Sequence, residues 1–233
     1  MKERNGIKWS SLDNASKIYP ATSSEKDTRV FRFACELYEE VDPDVLQKSL
    51  DITIENFPLY RSVLRKGLFW YYFESSGIRP TVEAETKPVC AHLYISDRRN
   101  LLFRAFYHNC RINVEVFHSL SDGTGALWFI QTLVYNYLVS KYRGSFGDEM
   151  PKLSHGASES EKMDDSFRRY FPGNGIFAPA SREKGEDRVN AYHIGGKKPD
   201  ENRINLIEGV MPVKDVLKLA HRHGVTLTVY IAS

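Results

Sequence analysis

The chain has 233 residues, of which 42% are hydrophobic and 12% aromatic, which is enough apolar surface for a packed core and excludes general disorder. Its 32 Lys and Arg residues nearly balance 30 Asp and Glu residues, and no long basic run interleaves with aromatics, so a nucleic-acid partner is not expected. No window approaches the ~20 apolar residues that cross a bilayer, and the N-terminal segment has no signal-peptide core. We therefore expect a cytoplasmic globular protein without a membrane span.

The first part of the chain predicts strands and one early helix. Residues 29–37 are rich in strand formers, and a helix follows in which Asp42 is the N-cap and Pro43 the first residue. Apolar residues at helical spacing extend this helix to about Phe57. Residues 68–73 (LFWYYF) form a run that is too aromatic and too short for a helix, which predicts a second strand. Burial on both faces is the favoured interpretation, and the alternative is that these aromatics line an acceptor pocket.

Residues 101–118 (LLFRAFYHNCRINVEVFH) contain two runs of alternating character around Asn109 and Cys110. This pattern predicts a β-hairpin with a two-residue turn. His118 would share a strand face with the apolar residues of the second run, so its imidazole would emerge on the buried face at the strand's end. The expected cross-strand pairs are Tyr107 with Ile112, Ala105 with Val114, Phe103 with Val116, Arg104 with Glu115, and Phe106 with Asn113.

A buried helix should follow this hairpin after a tight turn. Residues 124–142 carry a wide apolar stripe, and Ser121, Asp122 and Thr124 are residue types that begin helices. Lys141 and Arg143 suit the negative end of the helix dipole. The local arrangement is therefore strand, turn, helix.

The rest of the chain predicts a linker and the beginning of another domain. Residues 144–190 are polar and rich in turn residues, which is typical of a long surface crossover. A strand is expected at residues 203–211, followed by a helix from Pro212 with Gly224 just beyond its end. The last residues begin a further element and stop. We divide the chain into an N-terminal domain (1–143), a crossover linker (144–190) and the start of a truncated second domain (191–233).

Cysteine and histidine spacing indicates no metal site. Cys35, Cys90 and Cys110 are an odd, widely spaced set that fits neither a disulfide framework nor a CxxC ligand pair, so buried thiols are expected. His221 and His223 do not share a helix face, and the helix dipole explains them better than metal binding.

His118, Asp122 and Gly123 form an HxxxDG motif between the predicted strand and helix. In this setting the motif resembles the signature of the chloramphenicol acetyltransferase-like superfamily, which includes nonribosomal peptide condensation domains. The nearest likeness is to bacterial alcohol acetyltransferase-like proteins, on the runs LDNASKIYP (12–20), RKGLFWYYFE (65–74) and GVTLTVYIAS (224–233). The resemblance implies an α+β fold, a two-layer domain of mixed sheet and helices followed by the start of a second domain.

The resemblance also implies roles for the three motif residues. His118 would be the general base that takes a proton from an alcohol or amine acceptor as the acceptor attacks an acyl thioester. Asp122 would be structural and pair with an arginine, although an N-cap explains it equally well. Gly123 would fit a turn too crowded for a side chain. Acyl-CoA would be a co-substrate, with no tightly bound cofactor and no metal.

The chain departs from the superfamily at two points. Condensation domains usually have a second histidine before the catalytic one, and here the residue is Phe117, which favours simple acyl transfer. The second signature, DFGWG, is absent from these 233 residues, so this chain is expected to be an N-terminal half that is inactive alone. The alternatives are a carrier-protein-dependent condensation-like domain and a non-catalytic binding or scaffold protein. The surface meant for the missing half could also make the chain self-associate.

Overall fold

The computed structural model describes residues 2–4, 7–96, 98–145, 153, 195 and 208–233, with side chains from residue 9 onward. These residues belong to two compact units, Met1–Arg203 and Ile204–Ser233. The first unit contains eight strands and three α-helices among its described residues, and the second contains two helices. None of the described helices has the length and apolar character needed to cross a membrane.

The first unit is built on two four-stranded sheets. One has the order β1-β2-β5-β4 and is antiparallel, with β1 at Lys2–Arg4, β2 at Ile7–Ser11, β4 at Ser62–Lys66 and β5 at Tyr71–Ser75. The other has the order β3-β8-β7-β6, with β3 at Val30–Glu36, β6 at Val82–Ala84, β7 at Phe103–His108 and β8 at Arg111–Phe117. Only β6 and β7 pair in parallel in this sheet. An isolated bridge between Val63 and Leu101 links the two sheets.

Three helices accompany these sheets: α1 at Ile18–Thr22, α2 at Pro43–Glu55 and α3 at Gly123–Lys141. The two longer helices pack against each other, and α3 also contacts β3 and β8. The predicted start of α2 is confirmed, because Asp42 accepts hydrogen bonds from the Asp44 and Val45 amides and Pro43 is the first helical residue. The core joins apolar residues of both helices to one face of β8: Leu46, Leu50, Ile54, Ile112, Val114, Val116, Phe129 and Leu133.

The predicted hairpin at 101–118 is confirmed in every expected cross-strand pair. Its charged pair is part of a larger buried network, however. Glu115 has no solvent-exposed surface and accepts hydrogen bonds from Arg32 Nε at 2.8 Å and from Arg104 Nε at 2.7 Å. Both guanidinium groups lie over the Phe106 ring, 4.9 and 4.8 Å from its centroid. This network lies on the face of the sheet that is opposite the apolar core, and it joins β3, β7 and β8 there.

The aromatic run at 68–73 differs from its prediction. Strand β5 begins at Tyr71, and Leu68, Phe69 and Trp70 are 91%, 88% and 62% exposed, so burial on both faces is wrong for these three. The reason is a turn between β4 and β5, in which the Gly67 amide donates to the Trp70 carbonyl at 2.7 Å. Leu68, Phe69 and Trp70 therefore lie in the turn, outside the strand pairing, with their side chains in solvent.

The second unit contains α4 at Val213–Arg222 and α5 at Leu227–Ala232. The helix predicted from Pro212 is confirmed, with Gly224 beyond its end at φ +66°. The strand predicted at 203–211 lies partly outside the described residues, and residues 208–211 are not a strand, because no described strand pairs with them. Nearly all of the predicted linker, 144–190, also lies outside the described residues.

Candidate functional site

His118 lies one residue beyond the end of β8, held to β3 by a backbone hydrogen bond. Its amide donates to the Arg29 carbonyl at 2.9 Å, which continues the β3–β8 ladder past Phe117. Arg29 has φ +55°, a left-handed conformation uncommon for residues other than glycine. The His118 ring contacts Phe31, whose strand partner is Val116, so the predicted placement on the apolar face is confirmed.

The imidazole lies between two aromatic rings. Tyr19 stacks on it with centroids 4.3 Å apart and planes 14° apart, and Phe31 lies tilted with its centroid 4.9 Å away. His118 is half-buried, and neither of its ring nitrogens hydrogen-bonds to another residue within the described part of the chain. The ring is therefore fixed by apolar contacts while its nitrogens stay available to a bound molecule.

Tyr19 reaches His118 because the segment before α1 is attached to the motif turn. Ser119 is buried, and its hydroxyl donates to the Ser16 carbonyl at 3.0 Å. The Ser16 amide in turn donates to Asp13 Oδ1 at 2.6 Å. Sequence reasoning assigned no site role to Tyr19, Phe31, Ser119 or Arg29. The only signal was the LDNASKIYP run, which supported the resemblance and contains Tyr19.

Asp122 is the N-cap of α3, as one of the two interpretations predicted. Its Oδ1 accepts a hydrogen bond from the Gly125 amide at 2.8 Å, and its side chain is exposed. The resemblance also implied an arginine partner, but no arginine among the described residues forms an ion pair with Asp122. The carboxylate therefore acts on the helix start rather than through a salt bridge in this part of the chain.

The crowded glycine of the turn is Gly125, and the expectation for Gly123 is wrong. A Cβ added at Gly123 would meet no atom within 4 Å, whereas one added at Gly125 would lie 2.3 Å from Ser121 Oγ and 3.3 Å from Asp122 Oδ1. The capping geometry is the cause, because the Gly125 amide must approach the Asp122 carboxylate. Neither glycine has a positive φ.

Phe117 points away from the candidate site. Its side chain is completely buried and stacks on Tyr94 with centroids 5.4 Å apart, on the sheet face opposite His118. Because residue 117 does not face the imidazole, its identity says little about the acyl donor. The expectation that Phe117 favours simple acyl transfer therefore has no support from this geometry.

The three cysteines are free and half-buried rather than fully buried. Burial, followed by the nearby Glu115 carboxylate, raises the pKa of the Cys90 thiol to about 11. Among the residues that the structure describes, no group of three His, Cys, Asp or Glu side chains converges as metal ligands.

No protein-family model and no curated protein matches this sequence. Solved structures do match in fold. The starter condensation domain of rhizomide synthetase RzmA superposes with a TM-score of 0.52 at 13% identity, covering 70% of this chain and 44% of that domain. The first condensation domain of the calcium-dependent antibiotic synthetase superposes with a TM-score of 0.50 at 14% identity, and the match covers 72% of this chain and 46% of that domain. The fold is that of condensation domains.

A third match is the SgcC5 protein from Streptomyces globisporus, with a TM-score of 0.51 at 14% identity, over 71% of this chain and 43% of the other. The predicted chloramphenicol acetyltransferase-like α+β fold is thereby confirmed. The chain spans less than half the length of these structures. At such low identity the likeness concerns the fold, and the nearer resemblance to alcohol acetyltransferases stays a prediction.

Proposed function

We propose that this chain carries the general base of an acyltransferase, with His118 acting on an alcohol or amine acceptor. The observation that carries the proposal is the His118 imidazole itself. It lies at a strand end, held between Tyr19 and Phe31, and its ring nitrogens have no hydrogen-bond partner among the described residues. Because the ring is half-buried, these nitrogens are open to a bound acceptor, as a general base requires.

The chemistry needs one positioned base. The unprotonated imidazole nitrogen takes the proton from the acceptor O–H or N–H as that heteroatom bonds to the thioester carbonyl carbon. The tetrahedral intermediate then collapses, the C–S bond breaks, and the departing thiolate takes the proton back from the imidazolium. An imidazole suits both transfers because it titrates near neutral pH, and such a base contributes roughly 10²–10⁴-fold to the rate.

We propose acyl-CoA as the donor and a small alcohol as the acceptor. A variant of the RzmA starter condensation domain forms a complex with C8-CoA, and this chain shares its fold with a TM-score of 0.51 at 13% identity. The second candidate is a donor carried on a carrier protein, favoured by the matches to two condensation domains of synthetases. Because Phe117 faces away from the imidazole, the two candidates must be separated by the donor that supports turnover.

The deciding experiment measures thiol release from acetyl-CoA with a panel of small alcohols and amines. It uses the natural protein and, separately, these 233 residues, for which we expect no turnover because they span less than half the length of the matched structures. His118→Ala should abolish turnover, while His108→Ala, at the exposed hairpin end, should leave it unchanged. Turnover that survives His118→Ala would disprove the role of this residue. Turnover with an acylated carrier protein but with no CoA thioester would select the second candidate, and none with either donor would favour a non-catalytic binding protein.

A further inference from the structure

The tip of the β4–β5 hairpin is an apolar projection. Leu68, Phe69 and Trp70 are consecutive and 91%, 88% and 62% exposed. Isolated exposed apolar residues are ordinary on protein surfaces, but three large ones in sequence form a patch that calls for a partner. We call these three residues the hairpin tip.

The hairpin tip is held in place by its strands. Five residue pairs join β4 to β5 up to Lys66 and Tyr71, and the Gly67 amide closes the turn on the Trp70 carbonyl at 2.7 Å. The Trp70 indole folds over Gly67, with its Nε1 3.7 Å from where a Cβ on that glycine would be. The three apolar side chains are therefore presented together by an ordered turn.

The charged residues nearest to the hairpin tip along the chain, Arg65 and Lys66, are basic. No acidic residue occurs from Arg65 to Phe73. Lys66 is exposed and forms no ion pair with any residue that the structure describes. The nearest carboxylate along the strand, Glu74, is buried and already paired with Arg65 at 3.7 Å and Arg99 at 2.5 Å.

Tyr38 provides a contrast within the same unit. It is also fully exposed, at 107%, but three glutamates, Glu36, Glu39 and Glu40, lie within two residues of it along the chain. Exposure alone therefore does not distinguish the hairpin tip. Within the first unit, what distinguishes it is the run of three adjacent exposed apolar side chains beside Lys66, which forms no ion pair with the described residues.

We propose that the hairpin tip inserts into the interfacial region of an anionic lipid surface. Leucine and phenylalanine would enter the boundary with the acyl chains, tryptophan would lie at headgroup depth, and Lys66 would reach the lipid phosphates. A protein partner fits less well, because a stable interface buries about 800 Å² on each side and a projecting tip of three residues offers only part of that area. This surface is independent of His118 and of the proposed acyl transfer.

The test is co-sedimentation of the natural protein with vesicles of phosphatidylcholine, alone or with about 30% phosphatidylserine. We expect binding to the anionic vesicles that weakens as salt rises to about 0.5 M. Replacing the hairpin tip by serines, L68S/F69S/W70S, should lower the partition coefficient at least about tenfold, since the apolar anchor is removed. Lys66→Glu should weaken binding to anionic vesicles only, and the matched control, Tyr38→Ser, should change nothing.

Brominated lipids locate the contact. The chain has three tryptophans, and we expect Trp70 fluorescence to be quenched, so Trp70→Phe should remove most of the quenching. No vesicle binding, or equal binding by the parent and the serine variant, would overturn the proposal. Quenching that persists in Trp70→Phe would do so as well, because the contact would then lie elsewhere. A parent that binds no vesicles and dissociates from dimer to monomer on serine substitution would instead identify the tip as a contact between two copies.

Discussion

The ring of Tyr19 stacks on the imidazole of His118 with centroids 4.3 Å apart, although 99 positions separate the two residues in the sequence. The Phe31 ring lies against the same imidazole, with the two ring centroids 4.9 Å apart. Two aromatic contacts restrict the ring to one orientation without using its nitrogens. Tyr19 is in this sense a positioning residue, and its effect can be separated from that of the base.

Removing the Tyr19 ring should loosen His118. An aromatic stack of this kind contributes about 0.5–1.5 kcal/mol, so Tyr19→Ala is expected to lower kcat about tenfold in the thiol-release assay, while Tyr19→Phe should stay within about twofold. Proton NMR supplies a readout independent of activity. The stacked ring should shift the His118 ring protons upfield in the parent and in Tyr19→Phe, and an unshifted parent signal would contradict the stacking.

Asp122 should matter as a cap and not as a charge. Asp122→Ala is expected to lower the free energy of unfolding by about 1 kcal/mol, because the Gly125 amide loses its acceptor. Asp122→Asn should cost only a few tenths of a kcal/mol, since asparagine caps equally well. Urea unfolding measures both. Equal losses in the two variants would mean that the carboxylate charge is required, as in an arginine pair.

The two glycines of the turn should respond differently to alanine. Gly125→Ala places a methyl group 3.3 Å from Asp122 Oδ1 and 2.3 Å from Ser121 Oγ, a hydroxyl that can rotate away, and is expected to destabilise the protein by about 1 kcal/mol. Removing that oxygen in the double variant S121A/G125A should recover most of the loss. Gly123→Ala meets open space and should be neutral or slightly stabilising. A larger loss at Gly123 than at Gly125 would refute this account of the turn.

Glu115 is fully buried and forms ion pairs with two guanidinium groups that are 12% and 13% exposed. Glu115→Ala should lower the free energy of unfolding by about 3–5 kcal/mol, because it leaves the Arg32 and Arg104 guanidinium groups beside an empty, buried position. Glu85→Ala is the matched control, since among the described residues Glu85 forms an ion pair with Arg32 alone, at 2.7 Å, and its side chain is 23% exposed. Glu85→Ala should lower the free energy of unfolding much less than Glu115→Ala does, when both variants are measured by urea unfolding.

Cys90 should make stability fall at alkaline pH. Its folded pKa, raised to about 11 by burial and by Glu115, lies above the value of about 8.5 for a free thiol. Between these two values the unfolded chain loses the proton first, so its contribution to stability is complete below about pH 8.5 and is lost as pH rises toward 11. The stability difference between the parent and Cys90→Ala should shrink over that range, and a constant difference would contradict the shift.

The sequence by itself determined the local elements around the site. Alternation in 101–118 around a two-residue turn predicted five of the six hairpin pairs, because the turn length fixes the register and the alternation places Ile112, Val114 and Val116 on one face. Asp42 and Asp122 marked helix starts, because their side chains satisfy amides within the next three residues. Such contacts are local, and sequence patterns describe them well.

Tertiary structure decided what surrounds His118. Tyr19 and Phe31 reach the imidazole through a segment that docks on Ser119 and through pairing of β3 with β8, and neither contact follows from local spacing. The aromatic run at 68–73 misled the prediction for a related reason. Hydrophobicity predicted burial, but a turn at Gly67 moved Leu68, Phe69 and Trp70 into solvent. Whether an apolar residue is covered depends on what the rest of the fold brings to it.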